Sequence, residues 1–396
     1  MTETNDKKEK IAAFKKQQKN SRISGKLKSI ISIVLTVCVV LALWVCRKQL
    51  LSDILYERFE IMLSESSSGE GFPFSLQGNS VIKNNFDVSR KNAVILSDTS
   101  LNVVSKKGNV IISAQHNYVS PMLEASSSRF LIYDLGNKKY RIESINGNVI
   151  EAESEDKILC AAIADSGKYA VATFADNFSS TIKVYTPENK LQYEYSFASG
   201  YVTSMDIDED GKKGVVTTTY SKDGNISSAV YIFNFENPQP VCVYEYEDAI
   251  FVSSYYNNKK AVCVSDTMFV FFDEETAAKT DVDFGGNLIK AYDSYNGNLV
   301  VAYSTYSGAA ENHLKVYDDL GKEKYLINFN EKILDTAVFG NTFAVLVNEK
   351  VETYDMDTGE FIGQYVAGAD AVAIEFASAK EFYVLKYSEV EKFKIG

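Results

Sequence analysis

The residues best suited to hold a metal ion lie in one acidic run, Asp206-Ile-Asp-Glu-Asp-Gly211. Carboxylates at alternate positions before a glycine are typical of the first half of a calcium-binding loop. The twelfth position of such a loop requires a bidentate glutamate, but Thr217 occupies it here. The matching segment earlier in the chain, Asp165-Ser-Gly167, has no acidic cluster. The run therefore indicates a hairpin turn, and we assign no metal ligands.

Histidine is nearly absent, since the chain has only His116 and His313. A zinc site needs more ligands of this kind, and a Ser-His-Asp triad needs a recognisable nucleophile turn. The sequence has neither Gly-x-Ser-x-Gly nor a glycine-rich phosphate loop. Carboxylates alone can cleave glycosides, but 53 acidic residues give no means of choosing a pair. We therefore name no catalytic residue and expect no cofactor.

Residues 29–46 form an apolar segment of eighteen residues without a charge, between Lys28 and Arg47. As a helix it would extend about 27 Å, which is just enough to cross the hydrocarbon core of a bilayer. The end of the segment, Leu41-Ala-Leu-Trp-Val-Cys46, lacks the small-x-small pattern that a signal peptidase requires. The pattern predicts a transmembrane helix over 29–46 that acts as an uncleaved signal anchor.

The charges on the two sides of this segment differ in sign. Residues 1–28 contain nine Lys or Arg and carry +6, whereas the whole chain carries −12, so that residues 29–396 carry −18. Short basic flanks stay in the cytoplasm. We therefore expect a cytoplasmic basic tail and an extracellular C-terminal domain in a single-pass membrane protein. The strongly acidic domain makes nucleic acid an unsuitable partner.

A juxtamembrane helix and a linker follow at 47–71. Leu51, Ile54, Leu55 and Met62 have helical spacing, which predicts a helix that continues to about residue 64. Residues 64–73 are rich in serine, glycine and glutamate, a composition typical of a linker.

From residue 72 onward, short runs rich in Val, Ile, Tyr, Phe and Thr alternate with Gly/Asn/Asp turns, which indicates strands and hairpins. One hairpin recurs eight times, with turns at 108, 147, 189, 237, 276, 321, 359 and 396, a mean spacing of about 41 residues. A second hairpin precedes it, as in 163–173 and 207–217. Two hairpins per repeat give four strands, which is the blade of a β-propeller. We predict an all-β, eight-bladed β-propeller over 72–396, with seven blades as the alternative.

The last repeat lacks its fourth strand, because the chain reaches Gly396 directly after the third. Residues 72–77, which precede the first blade, are suited to supply that strand. Pairing the two ends in this way would remove an exposed sheet edge.

The hairpin at Asp355-Met-Asp-Thr-Gly-Glu360 resembles the repeats of quinoprotein-like and WD40-like propellers, and Asp318-Asp-Leu-Gly-Lys-Glu323 is a weaker copy. The docking tryptophan of those repeats is absent, since the one tryptophan is Trp44. The layout of basic tail, single span and repeat domain also resembles an uncharacterised family of membrane-anchored, extracytoplasmic propellers of Gram-positive bacteria. This resemblance implies a fold and a location, and no known activity.

Three connections between the second and third strands of a repeat are long, at 174–180, 220–228 and 304–312. In a propeller such connections project from one face, where binding residues are carried by loops on rigid strands. The candidate binding residues are the aromatic and acidic side chains of these connections: Asp176, Phe178, Tyr220, Asp223, Tyr306 and Glu311.

The sequence thus favours a non-catalytic binding or scaffold protein of the cell envelope, with a protein or cell-wall partner on this face. Two alternatives stay open. One is an envelope enzyme that acts on glycan through carboxylates, and the other is a sensor that signals through the basic tail.

Overall fold

A computed structural model describes residues 29–30, 32–37, 52–64, 71–76, 78, 80–306 and 311–396. The chain divides into two compact units, Met1–Tyr56 and Glu57–Gly396. In the first unit, residues 29–30 and 32–37 are helical. The tail 1–28, most of the predicted span 29–46 and the linker 65–70 lie outside the described residues. Among the helices that are described, none has both the length and the hydropathy to cross a membrane.

Helix α1 spans Asp53–Ser64 and ends where the spacing of apolar residues predicts. Its residues from Glu57 onward belong to the second unit. Ile61 and Glu57 of this part are buried, with 2% and 3% of their surface exposed.

The second unit is an eight-bladed β-propeller, so the predicted fold and blade number are confirmed. Each blade is a four-stranded antiparallel sheet whose first strand is innermost. The strands of blades 1 to 4 are β2 Phe86–Ser89, β3 Asn92–Leu96, β4 Ser100–Val104 and β5 Val110–Gln115; β6 Pro121–Ala125, β7 Arg129–Asp134, β8 Lys139–Ser144 and β9 Gly147–Glu153; β10 Ile158–Ile163, β11 Tyr169–Phe174, β12 Ser180–Tyr185 and β13 Leu191–Phe197; β14 Tyr201–Ile207, β15 Lys213–Lys222, β16 Asn225–Asn234 and β17 Cys242–Glu247.

The strands of blades 5 to 7 are β18 Phe251–Asn257, β19 Lys260–Ser265, β20 Met268–Asp273 and β21 Ala278–Asp283; β22 Leu288–Tyr295, β23 Asn298–Ser304, β24 Asn312–Tyr317 and β25 Glu323–Phe329; β26 Ile333–Phe339, β27 Thr342–Val347, β28 Lys350–Asp355 and β29 Phe361–Val366. Blade 8 consists of β30 Ala371–Ser378, β31 Glu381–Lys386, β32 Glu389–Lys394 and β1 Phe74–Ser75.

The hydrophobic core lies between the blades. The second strands are buried along nearly their whole length, as in β3 and β27, because both of their faces contact neighbouring blades. The outer strands alternate between exposed and half-buried residues, as in β29. One typical cluster joins Val264 and Phe269 of blade 5 to Leu299 and Val301 of blade 6. Removal of apolar surface from water at eight such interfaces is the main term that holds the ring together.

The ring closes as the sequence predicts. Phe74 pairs with Val390 and Ser75 with Glu389, so that β1 completes blade 8. The Leu76 N–H extends the pairing with a 2.9 Å hydrogen bond to the Ser388 carbonyl. The chain enters beside the turn at Gly108, whose φ of +85° and contact with the Gly71 backbone both exclude a side chain.

Deleting residues 72–77 should destabilise the propeller, because β32 becomes an unpaired edge and Phe72 no longer packs against Tyr383, 5.1 Å away between ring centroids. Because Phe72 is half-buried, its loss alone costs less than the ~3–5 kcal/mol of a fully buried phenylalanine, and the lost strand pairing adds to it. Thermal unfolding of the full chain measures the effect. The control is Val366→Ala on the outer strand of blade 7, 78% exposed, which should change the free energy of unfolding by less than about 0.5 kcal/mol. An unchanged melting temperature after the deletion would contradict this mode of closure.

Candidate binding face

The propeller has two faces, which the turns define. We call helix face the side with the turns between first and second and between third and fourth strands, such as 164–168 and 186–190. We call loop face the side with the turns between second and third strands and the connections between blades, such as 175–179 and 198–200. The two faces differ in what covers them.

A buried ion pair attaches the end of α1 to the helix face. The Arg129 guanidinium, at the start of β7, donates to both carboxylate oxygens of Glu57 over 2.9 and 3.2 Å, and to the Pro187 carbonyl over 2.9 Å. Both side chains are at most 4% exposed. A bidentate pair of this kind fixes orientation. Removing one partner strands a buried charge and costs about 3–5 kcal/mol.

A second contact supports the same attachment. Arg58 donates to the Asp165 carbonyl in the turn between β10 and β11 and lies 3.5 Å from the carboxylate of that residue. The Asp165 carboxylate also accepts the Ser127 N–H, at 2.7 Å. The described contacts of Glu57 and Arg58 therefore place the entry of the chain into the propeller unit on the helix face, across blades 2 and 3.

All six predicted binding residues lie on or beside the loop face. Phe178 is 47% exposed in the turn after β11, with Asp176 beside it, and Tyr306 is 65% exposed after β23. Glu311 precedes β24, and residues 307–310 between them lie outside the described part of the chain. No described contact brings the residues of blades 3, 4 and 6 together into one pocket.

The predicted loop at 220–228 has a different structure. Strands β15 and β16 continue through it and pair as far as Lys222 and Asn225, which leaves only Asp223 and Gly224 at the tip. Tyr220 is therefore a strand residue of a projecting hairpin. Polar residues such as serine and asparagine suggested a loop, but cross-strand pairing satisfies the backbone and extends the hairpin beyond the blade.

The central channel is acidic, a feature that was not predicted from the sequence. Six of the eight inner strands each contribute one carboxylate: Asp87, Glu124, Asp206, Asp293, Asp335 and Glu375. The charge of a carboxylate on one blade affects the pKa of a carboxylate on a non-adjacent blade. Asp206 of blade 4 raises the pKa of Glu124 of blade 2 in this way. They can be this close only where the inner strands converge. The sequence signal was present, as a single acidic residue inside an otherwise apolar first strand of most repeats.

Three of these carboxylates join neighbouring blades. Asp206 accepts the N–H of Ile207 on its own strand at 2.8 Å and the N–H of Tyr256 in blade 5 at 2.7 Å. Asp293 and Asp335 make the same pair of bonds, and reach Val338 and Ile374 of the next blade at 2.7 and 2.9 Å. These hydrogen bonds satisfy the buried oxygens and lock the spacing of the inner strands. The start of the run Asp206–Gly211 is therefore structural, and its remainder forms a hairpin turn.

A 3-10 turn at Lys83–Asn85, between β1 and β2, lies at the loop-face end of the channel. Asn85 bonds the backbone of blade 2, and the Lys83 ammonium forms an ion pair with Asp335. Although burial opposes it, the Asp335 carboxylate raises the pKa of Lys83 above its usual value. Lys83 also stabilises the charged forms of Asp293 and Glu375. It thus neutralises the side of the channel formed by blades 6 to 8.

The other side of the channel contains a cavity of about 420 Å³, formed by blades 2 to 5 and Asn84. Met122, Leu135 and Val252 line its loop-face end, and Glu124 and Asp206 lie deeper. Burial, and then the carboxylates of Asp206 and Asp87, raise the pKa of Glu124 well above its usual range. Among the described residues, no group of three or more His, Cys, Asp or Glu side chains is arranged to hold a metal ion.

Comparison with known proteins gives a family. Residues 75–395 match a family of unknown function, DUF5711. The chain belongs to this family. The expected resemblance to an uncharacterised propeller family is confirmed to that extent. Among functionally curated proteins, none matches the sequence of this DUF5711 member.

Solved structures share the fold of this DUF5711 protein. BamB from Moraxella catarrhalis is 10% identical with a TM-score of 0.53, and the match covers 81% of this chain and 100% of that one. The C-terminal WD40 domain of Sif2 is 11% identical with a TM-score of 0.55, over 82% and 100%. A chain of a mitotic checkpoint complex is 12% identical with a TM-score of 0.51, over 71% and 90%. At these identities the likeness shows the fold alone.

The channel predicts how stability depends on pH. Burial raises the pKa of Asp206 and of Asp293 to about 7 and that of Asp87 to about 6, although backbone N–H groups favour the charged forms. The folded state therefore binds more protons than the unfolded state between about pH 4 and 7, and stability falls as pH rises through this window. Acidification from pH 7.5 to 5.5 should raise the melting temperature by at least about 3 °C.

Glu124→Gln tests the origin of this effect. Removing an ionisable, unbonded carboxylate should raise the melting temperature at pH 7.5 and reduce its dependence on pH. His116, whose pKa burial lowers, acts in the opposite direction in both proteins and cancels in the comparison. Glu360→Gln on the surface should behave as the parent chain. If Glu124→Gln and Glu360→Gln gave the same pH profile, the channel would not be the source.

Proposed function

We propose that this DUF5711 protein is a non-catalytic binding or scaffold protein of the bacterial cell envelope, of the kind found in Gram-positive bacteria. Residues 29–46 anchor it in the membrane by one helix, the basic tail 1–28 lies in the cytoplasm, and the propeller lies outside. Its partner is a protein or a cell-wall component that binds the loop face. The charge and hydropathy of the N-terminal residues support the anchoring, and the propeller supports the binding role.

The observation that carries the binding role is the difference between the two faces. The helix face takes the incoming chain through the buried Glu57–Arg129 pair. Of the described residues, the loop face carries most of the exposed aromatic side chains, among them Phe178 at 47%, Tyr201 at 51% and Tyr306 at 65%, together with the apolar Val119 at 82%. Exposed apolar groups held on rigid strands are typical of a protein-binding surface. A similar propeller occurs within a mitotic checkpoint complex, which is an assembly of proteins.

The channel carboxylates support binding rather than glycan hydrolysis. In Asp206, Asp293 and Asp335, both carboxylate oxygens accept hydrogen bonds from backbone N–H groups, which suits a structural role. A glycosidase needs two carboxylates that flank a bound sugar and are free to exchange protons. The Lys83 turn at the loop-face end of the channel also reduces the room for a polysaccharide there.

Epitope tags test the location. In intact cells that produce the full chain, a tag after Gly396 should bind antibody and be removed by added protease. A tag before Met1 should become accessible only after lysis, since the basic tail is expected in the cytoplasm. Accessibility of the N-terminal tag alone would reverse the topology, and recovery of the chain in the aqueous fraction after lysis would exclude the anchor.

Shortened loops test the binding face. Residues 175–179, 220–227 and 305–311 are each replaced by Asn-Gly, which is suited to a two-residue hairpin turn. Crosslinking in living cells with mass spectrometry should then recover the partner at least tenfold less, while the melting temperature stays within about 2 °C of the parent. The control is Leu320→Ser, an exposed apolar residue on the helix face, which should leave recovery unchanged. Loss of binding in the control alone would move the binding site to the helix face.

A further inference from the structure

The channel is divided into two unequal halves. Blades 6 to 8 contribute Asp293, Asp335 and Glu375, and Lys83 of the same chain balances their charge. Blades 1, 2 and 4 contribute Asp87, Glu124 and Asp206. Among the described residues, the side chains that influence the pKa of these three include carboxylates and no cation. One half of a single acidic channel therefore has a counter-ion, and the other half has none.

Glu124 is the least satisfied group in the half without a cation. It is half-buried in the channel wall and lines the 420 Å³ cavity. No described residue donates a hydrogen bond to it, in contrast to Asp206 with its two backbone donors. A half-buried carboxylate without a donor or a counter-ion costs free energy, which a ligand that supplies both would recover.

Two tyrosines and two serines also contribute to the wall of this cavity. Tyr133, Tyr255, Ser204 and Ser254 line the same cavity, and the hydroxyls of the two serines lie 2.6 Å apart. The cavity is much larger than a bare ion needs, and the described residues hold no group of metal ligands. The geometry is suited to an organic cation with several N–H donors.

The rim indicates what carries that cation. Leu135 and Val252, 40% and 51% exposed, lie at the entrance. Phe174 of blade 3 and Tyr201 of blade 4 also lie on the loop face, with their ring centroids 5.4 Å apart. They are 40% and 51% exposed. Leu135 and Val252 line the cavity whereas Phe174 and Tyr201 do not, so that a small molecule inside the cavity would leave these two rings uncovered. A protein segment would cover the rim while one long side chain reached inside, its aliphatic stem along Met122 and Leu159.

We infer that the loop face binds a protein partner by taking one of its lysine or arginine side chains into the cavity beside Glu124. This inference rests on the proposed function, since it names the chemistry of the partner on the same face. The inserted cation neutralises the carboxylates of blades 2 and 4, as Lys83 neutralises those of blades 6 to 8. The apolar rim then provides the buried contact area with the partner. The charge pair determines where the partner segment sits and which partners bind.

Selection from a random library tests the chemistry of the ligand, because it does not require the partner to be identified first. Random dodecapeptides displayed on phage are selected on the immobilised full-length chain in detergent, and the selected peptides are synthesised. We expect them to share a lysine or arginine among apolar residues. Replacing that residue by acetyl-lysine or citrulline, which keep the shape and remove the charge, should weaken binding at least tenfold.

Two matched variants locate the charge. Glu124→Gln should weaken binding of the parent peptide at least tenfold and make the neutralised peptide bind no worse than the parent, because the two changes remove the same interaction. Glu375→Gln makes the same chemical change in the half that Lys83 serves, and should leave binding unchanged. Equal affinity for the parent chain and Glu124→Gln, or selected peptides without basic residues, would overturn the inference.

The loop-shortened chains separate this inference from the proposed function. If the affinity of the selected peptides depended on the loops and not on Glu124, the inference about the cavity would be wrong, while the proposal that the loop face binds a partner would stand. If the affinity depended neither on the loops nor on Glu124, both the inference about the cavity and the proposed binding face would be wrong. A peptide of residues 1–28 and the oligomeric state are measured alongside. If the full chain bound the 1–28 peptide and Glu124→Gln abolished that binding, the cavity would hold the chain's own tail. If the chain formed a dimer that Glu124→Gln abolished, the cavity would hold a side chain of a second copy. Either result would overturn the inference of a separate protein partner.

Discussion

Eight inner strands that converge on one axis impose the constraint on which this structure depends. Any side chain that such a strand directs inward loses most of its water, and six of them are carboxylates. The molecule manages this cost in two ways. Asp206, Asp293 and Asp335 receive backbone N–H groups from their own and the next blade, so that their burial also fixes the blades relative to one another. Lys83 supplies a charge from a segment that belongs to no blade.

The result is a ring that is regular in its backbone and asymmetric in its chemistry. The Lys83 turn occurs once, because the connection between β1 and β2 is also the place where the ring closes. It satisfies one half of the channel and leaves Glu124 on the other side with only like-charged neighbours. The same asymmetry appears at the surface, where the helix face receives the incoming chain and the loop face displays aromatic groups. Both differences favour recognition on the loop face over blades 2 to 5.

The sequence was sufficient for the parts of the fold that depend on local pattern. Recurring turns such as those at Gly108 and Gly359 predicted the hairpin between the third and fourth strands of the first seven repeats, and the missing strand after the last repeat predicted closure by 72–77. It failed where tertiary pairing decides, as at Tyr220, which a polar composition placed in a loop. The channel could not be found from spacing, because Glu124 and Asp206 lie far apart in the chain and meet only through the curvature of the ring. An isolated acidic residue in an apolar first strand is the signal to look for in such repeats.

The pairing of β1 with β32 also has a consequence for the order of folding. These two strands come from opposite ends of the domain, so their contact carries the largest loop-closure entropy in the fold. Each blade can form from neighbouring hairpins as it emerges from the ribosome, but blade 8 stays open until the whole repeat array has been synthesised. During that interval β1 has no strand partner, and the side of blade 1 that packs against blade 8 is uncovered. A chain truncated by a premature stop would remain in that open state, with edges that invite association with other chains.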